Sequence, residues 1–197
     1  MTSMLLDKAF EKFDAYNGTD PHVLVWNQVS YPQELFLALQ LHTWVLKLNS
    51  APSEPLLLAS RCQHIGRWEV PRHAYPEGRV GYLSWRRNLA ELHALKAKSI
   101  LQEVGYTPDV ISMVEHIILK RNIKKDPDVQ TIENALCLVF LEFQYEDFHT
   151  RHEGDKVINI IKKSLLKMDT EGREFALTLN YSTAGLTYIK EALKQLQ

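Results

Sequence analysis

The 197-residue chain is poor in the features that mark several functional classes. It has two cysteines, Cys62 and Cys137, and no C-x-x-C pairing. Both lie in apolar helical patterns, which excludes a disulfide framework or a cysteine zinc centre and leaves two reduced, buried thiols. No stretch approaches the ~20 apolar residues of a membrane span. The start, MTSMLLDKAFEKFDAYNG, carries acids early and lacks the apolar run of a signal peptide. A cytoplasmic protein that does not engage a membrane is expected. Net charge is −1, so neither a strong basic nor a strong acidic field covers the molecule. That balance argues against a long nucleic acid as partner, because a polyanion needs a broad basic face. Any anion site must be local.

Strand alternation is nearly absent. VLVW at 23–26 is the one short β-like run in an otherwise irregular stretch up to residue 30. Internal repeats, low-complexity tracts and a nucleotide-binding α/β pattern are missing too. Apolar residues recur instead at helical spacing. Helices are expected over about 5–17, 32–49, 53–68, 79–104, 108–122, 129–148, 155–168 and 182–196. Asn17-Gly18 and Gly105 serve as stops, and Thr107-Pro108, Asp126-Pro127 and Ser182 as starts. The 129–148 segment is apolar nearly all round, as Leu136, Leu138, Val139, Phe140, Leu141 and Phe143 show, so other helices should surround it. The reading is a compact all-α, multi-helix domain over 1–197 with that helix at its centre.

The local anion site is suggested by residues 61–93, RCQHIGRWEVPRHAYPEGRVGYLSWRRNLAELH. Six arginines, no lysine and three glutamates fall here. A planar guanidinium suits bidentate recognition of phosphate or carboxylate. Trp68, Tyr75, Tyr82 and Trp85 are interleaved, and aromatics beside arginine can stack a flat ligand or pack on the guanidinium planes. On a helix, Tyr82, Leu89, His93 and Ile100 share a face and Arg86 lies close to it. Arg87 points away and is expected to be solvated. His64 shares the preceding helix face with Arg61 and Trp68. Pro71, Pro76 and Gly78 make a bent connection that could bring Arg72, Tyr75 and Arg79 over a pocket. The ligand-binding candidates are Arg67, Trp68, Arg72, Tyr75, Arg79, Tyr82, Trp85 and Arg86. Equally open at this point are hydrogen-bonded core histidines, and arginines (Arg79, Arg86) bridged to Glu133 or Glu142. Glu133 and Asn134 interrupt the apolar central helix and need polar partners there.

The spaced pattern H64-I-x-R67-W68-E-x-P71-R72, Y75-P76-x-G78-R79-x-G81-Y82-x-x-W85-R86, H93-A94, D126-P-x-V-Q-T and C137-L-V-F-L-E142-F resembles, over nearly the whole chain, a bacterial and fungal family catalogued only as a domain of unknown function (number forty-two hundred and two). A more distant similarity runs to the HD superfamily of helical metal-dependent phosphohydrolases. That similarity implies an HD-like fold, His64 and His93 as catalytic residues, and one divalent metal on His64, His93 and Glu133. Ile65 and Asn134 stand where that superfamily has carboxylates, and an amide is a poorer ligand for a hard cation. Three functions follow. The first expectation is that the chain binds an anionic, phosphorylated or nucleotide-like small molecule without turning it over. The second is a phosphohydrolase, and the third is a structural or partner-binding helical domain.

Overall fold

A computed structural model describes residues 2–196. Ten α-helices and one β-hairpin make up its regular structure, apart from two short 3-10 turns. Helix α1 (Thr2–Asn17) leads into an antiparallel pair, β1 (Val23–Trp26) and β2 (Val29–Pro32). The β-like run VLVW forms the first strand, and its pairing with β2 corrects the expectation that the rest of the stretch is irregular. Asn27 and Gln28 both take positive φ, 50° and 65°, the backbone of a tight two-residue hairpin turn. Helix α2 (Gln33–Leu48) starts one residue after Pro32, which closes β2 instead of opening the helix.

Helix α3 (Glu54–Cys62) is capped by Ser53, whose Oγ accepts from the Leu56 amide at 3.1 Å. It stops well before residue 68 because Gly66 takes φ +70°, a left-handed turn that aims the following 3-10 turn, Arg67–Glu69, in a new direction. Helix α4 (Gly78–Val104) ends on Gly105 at φ 102°, with the Gly105 and Tyr106 amides both donating to the Leu101 carbonyl. Helix α5 (Pro108–Ile118) also ends early, in a turn where Lys120, Asn122 and Lys124 have positive φ.

The central helix is shorter than expected. Helix α6 (Pro127–Phe143) breaks at Gln144, φ −127°, and α7 (Tyr145–Thr150) follows in a new direction. Helices α8 (Gly154–Lys167), α9 (Thr170–Thr178) and α10 (Thr183–Lys194) complete the chain. Sequence reading misses α9, which Asp169 caps by accepting from the Gly172 amide. Helix α6 packs against α2, α3, α5, α7, α8 and α9. Its Ile132, Ala135, Leu138 and Leu141 are essentially solvent-free, so the core is built round it as the pattern requires. Cys62 and Cys137 are free, buried thiols. Among the described residues no helix is long and apolar enough to cross a membrane.

Candidate functional site

Helix α4 packs on α1 and α5, with Lys96 and Glu103 in its C-terminal half bonded to Tyr16 and Lys12 of α1. Its N-terminal half projects beyond that support: Val80 is 80% exposed and Leu83 53%. The projecting half is held from one side by the 70–77 segment. Trp85 Nε1 donates to the Val70 carbonyl at 2.9 Å, and Asn88 Nδ2 donates to the Tyr75 hydroxyl at 3.0 Å. On the other side opens a cleft of about 640 Å³, walled by α4, the end of α3, the end of α5, α6 and α8. Its size suits a small-molecule ligand.

Arg86 and Arg87 reach it from α4, Arg67 from the 3-10 turn, Lys120 from the turn after α5, and Lys163 and Lys167 from α8. Glu133 is the one carboxylate among the lining residues. Arg86, Arg87 and Lys163 make no ion pair or hydrogen bond among the described residues, so their charges are uncompensated. Tyr82 and Trp85 stand side by side with ring centroids 5.9 Å apart, and the Arg67 guanidinium lies 5.5 Å from the Trp85 ring. Glu133 is 2% exposed and sits between two ammonium groups, Lys120 Nζ at 2.5 Å and Lys167 Nζ at 3.0 Å. Burial works to raise its carboxyl, but the two lysines outweigh burial and hold it below the usual carboxylate range. For Lys120 the balance goes the other way: burial depresses the ammonium despite Glu133, and Lys167 and Arg86 push in the same direction.

His64 and His93 meet at the inner end of the cleft with ring centroids 5.6 Å apart. The His93 Nδ1 atom lies 2.7 Å from the Ile65 carbonyl oxygen, which can only accept. Nδ1 therefore carries the proton, and Nε2 of the neutral ring keeps its lone pair. Burial, then Arg67, lowers His93 to about 4, although the Ile65 bond favours its charged form. Burial and the positive charge of Arg67 also push His64 well below its ordinary value. Both rings are neutral at pH 7.

Behind His64 lies a small chamber of about 50 Å³, lined among others by Asn17, Glu34, Ser60 and Gln63. The Asn17 amide donates to the Arg61 carbonyl and the Gln63 amide to the Ile118 carbonyl, which fixes both side chains. Their oxygens, buried, accept nothing from any described residue. Glu34 is 4% exposed, and its Oε1 lies 3.9 Å from Arg67 Nε. Burial raises its carboxyl to about 7, against the pull of Arg67.

The structure thus divides the sequence candidates. Arg67, Tyr82, Trp85, Arg86, His64, His93 and Glu133 come together. Arg72, Tyr75, Arg79 and Trp68 do not. Arg72 donates to the carbonyls of Tyr75 at 3.0 Å and Pro76 at 2.9 Å, so its fork closes the 70–77 loop on itself instead of covering the cleft. Arg79 is exposed away from it, and Trp68 lies 5.8 Å from Tyr16, tilted against that ring. Arg87, expected to point into solvent away from the site, lines the cleft. Glu133 pairs with lysines, not with Arg79 or Arg86, and Glu142 accepts from Trp44 Nε1 at 2.7 Å. Among the described residues no three His, Cys, Asp or Glu side chains gather closely enough to hold a metal ion, so His64, His93 and Glu133 do not assemble as a ligand set.

Gly81 fixes the projecting half of α4. A Cβ there would stand 1.9 Å from the Pro76 carbonyl oxygen. Gly81→Ala should therefore push the first turns of α4 off the 70–77 segment and lower stability by about 1–3 kcal/mol, the usual range for overpacking. Chemical denaturation measures the loss. An unchanged midpoint would show that the two segments yield freely.

The pattern of arginines, aromatics and histidines that builds this cleft lies within one family alignment. No curated protein and no solved structure matches the chain. Residues 7–189 match the family described as Domain of unknown function (DUF4202), and the chain belongs to that family.

Proposed function

We propose that the cleft binds an anionic small molecule bearing phosphate, such as a nucleotide or a phosphorylated metabolite. One observation carries the reading: six cationic side chains from four separate segments face one opening that holds a single carboxylate. Cations left without partners, at a concave site with partly buried walls, favour an anion more than the same charges on an open surface would. Arginine and lysine each give charge-assisted hydrogen bonds to phosphate oxygens. The Tyr82 and Trp85 rings, tilted 44° to each other, offer aromatic faces beside them on which a base can stack.

A thermal-unfolding screen with inorganic phosphate, nucleotides and sugar phosphates tests this. A ligand at 100 times its dissociation constant adds about 2.7 kcal/mol, which in a chain of this length raises Tm by roughly 5–10 °C. Arg86→Ala should leave the unfolding temperature of the free protein almost unchanged, since the side chain is exposed and unpaired. It should weaken the anion about tenfold, the worth of one charge-assisted contact. A flat screen would end the reading.

An HD-like phosphohydrolase is the second reading, and it is favoured by the neutral His64–His93 pair at the inner end of a basic cleft. A lone pair on His93 Nε2 can accept a proton from water, and a neutral His64 can take or pass one. A divalent ion on these histidines would have to draw Glu133 away from Lys120 and Lys167. Release of inorganic phosphate from a nucleotide or phosphate ester, lost in His93→Gln while binding persists, would establish turnover. Binding without release leaves the first reading standing.

A further inference from the structure

The free charge in the cleft exceeds what one phosphate group can neutralise, and it comes from more than one helix. Arg86 and Arg87 project from α4, which packs on α1 and α5; Lys163 and Lys167 project from α8, which packs on α6, α7 and α10. The two walls therefore stand on helices with different immediate neighbours. Lys120 and Lys167 share the single charge of Glu133, which leaves a surplus positive charge on that side even before the unpaired Lys163 is added. A phosphate monoester brings at most about two negative charges to one place. The six cations and one carboxylate that line the cleft leave more positive charge than that.

The aromatics are placed unequally too. Tyr82 and Trp85 both stand on α4, and Tyr82 is 42% exposed although it lines a cleft. Trp85 is fixed from behind by Val70 and flanked by Arg67, so its ring is held in place before any ligand arrives. The lining also includes uncharged groups: neutral His64 and His93, the Cys137 thiol and Leu136. The rings and two arginines stand on α4, and the lysines on α8 and the turn after α5, so the cleft offers a stacking surface and several cations on different elements, as a ligand with a base and several phosphates requires.

We infer that the ligand is a nucleoside di- or triphosphate, its base on Tyr82 and Trp85, its first phosphate met by Arg86 and Arg87, and its phosphate chain ending on Lys120, Lys163 and Lys167. This rests on the anion-binding reading above and goes further by requiring more than one phosphate and by giving the direction in which the ligand lies. Glu133 then acts as a counter-ion that keeps Lys120 charged in the free protein and releases part of its hold when the terminal phosphate arrives.

Calorimetric titration in the presence of a chelator, so that side chains alone neutralise the phosphates, provides the test. The probes are the mono-, di- and triphosphates of adenosine and guanosine, together with inorganic phosphate and inorganic tripolyphosphate. The diphosphate should bind about tenfold or more tightly than the monophosphate of the same base, one further charge-assisted contact being gained. Lys163→Ala should erase most of that preference and leave the monophosphate unaffected. Tyr82→Ala should weaken the nucleotides about fivefold or more through lost stacking, and leave tripolyphosphate as it was. Equal affinities for mono-, di- and triphosphates overturn the inference, as does tripolyphosphate binding as tightly as the nucleotides. In both cases some anion still binds, so the broader reading survives. If none of the probes binds, both readings fall together.

Discussion

Glu133→Gln should cost about 3 kcal/mol of folding stability, at the low end of the range for removing one member of a buried ion pair. The side chain is 2% exposed and is the counter-ion for Lys120 and Lys167. Lys120 is 22% exposed at its side chain, so part of its charge still reaches water, which holds the loss to the lower end. Urea denaturation at pH 7 measures it. The substitution also leaves a pH signature. Lys120 already has a depressed pKa through burial, and without Glu133 it is depressed further. The unfolded lysine then binds a proton that the folded one sheds, so the stability of the variant rises with pH more steeply than that of the wild type above neutrality. Lys120→Met in the Glu133→Leu background should recover most of the loss, because a well-packed apolar pair costs no desolvation. A deficit under about 1 kcal/mol in Glu133→Gln would show that solvent already screens the three charges, as it does at ordinary surface pairs. The naive expectation for ligand binding is that losing a carboxylate strengthens an anion site. Here it should not at alkaline pH, because Glu133 is what keeps Lys120 protonated.

The half of the site that sequence could reveal is the half carried by one contiguous segment. Arg67, Tyr82, Trp85, Arg86 and His93 sit within 27 residues, and helical phase alone places Tyr82, Leu89 and His93 on one face. The opposite wall was illegible. Lys163 and Lys167 lie four apart beside Ile160 and Ser164, a visible stripe, but on an amphipathic helix such a stripe reads as solvated surface. Only the packing of α8 beside α6 turns it toward Arg86. Arg72 and Arg79 share the chemistry of their neighbours, yet periodicity cannot say that a guanidinium will close its own loop through three carbonyls, as Arg72 does. The same limit explains the errors in the fold. The β2 strand VSYP lacks the Asn-Gly signal of a tight hairpin, since Gln28 takes the left-handed position normally given to glycine. The α6–α7 break at Gln144 falls where apolar residues keep recurring at Leu141, Phe143, Tyr145 and Phe148, and no proline or glycine marks it. The all-α class and the central place of α6 were legible because its apolar residues cover every side of the helix, which only a surrounded helix can satisfy.

Wild-type stability should carry a component that falls as pH rises from about 4.5 to about 7, and Glu34→Gln should abolish it. The carboxyl is raised to about 7 because burial penalises its charge more than Arg67, 3.9 Å away, rewards it. Between its unfolded and folded values the native state holds the extra proton, so stability is greatest below the unfolded value and is lost as pH climbs to the folded one. A shift of this size corresponds to a few kcal/mol, on the order of 3. His42 and His93 work against it. Burial lowers both to about 4, so the unfolded chain binds protons that they refuse, and their contribution grows as pH rises from 4 to 6.5. The wild-type curve alone therefore hides the effect, and the difference between wild type and Glu34→Gln reveals it. At pH 5 the two should be close in stability, because a protonated glutamate and a glutamine are similar in shape and both neutral. At pH 8 the variant should be the more stable, since it has no buried charge to solvate. A difference curve that is flat from pH 5 to 8 would mean that Arg67 compensates Glu34 fully, and that the chamber behind His64 holds a permanent carboxylate. A slope that runs from about 4.5 and flattens near 7 would place an exchangeable proton directly behind the histidines that face the cleft, close enough to the basic site for anion binding and proton uptake to be coupled through Arg67.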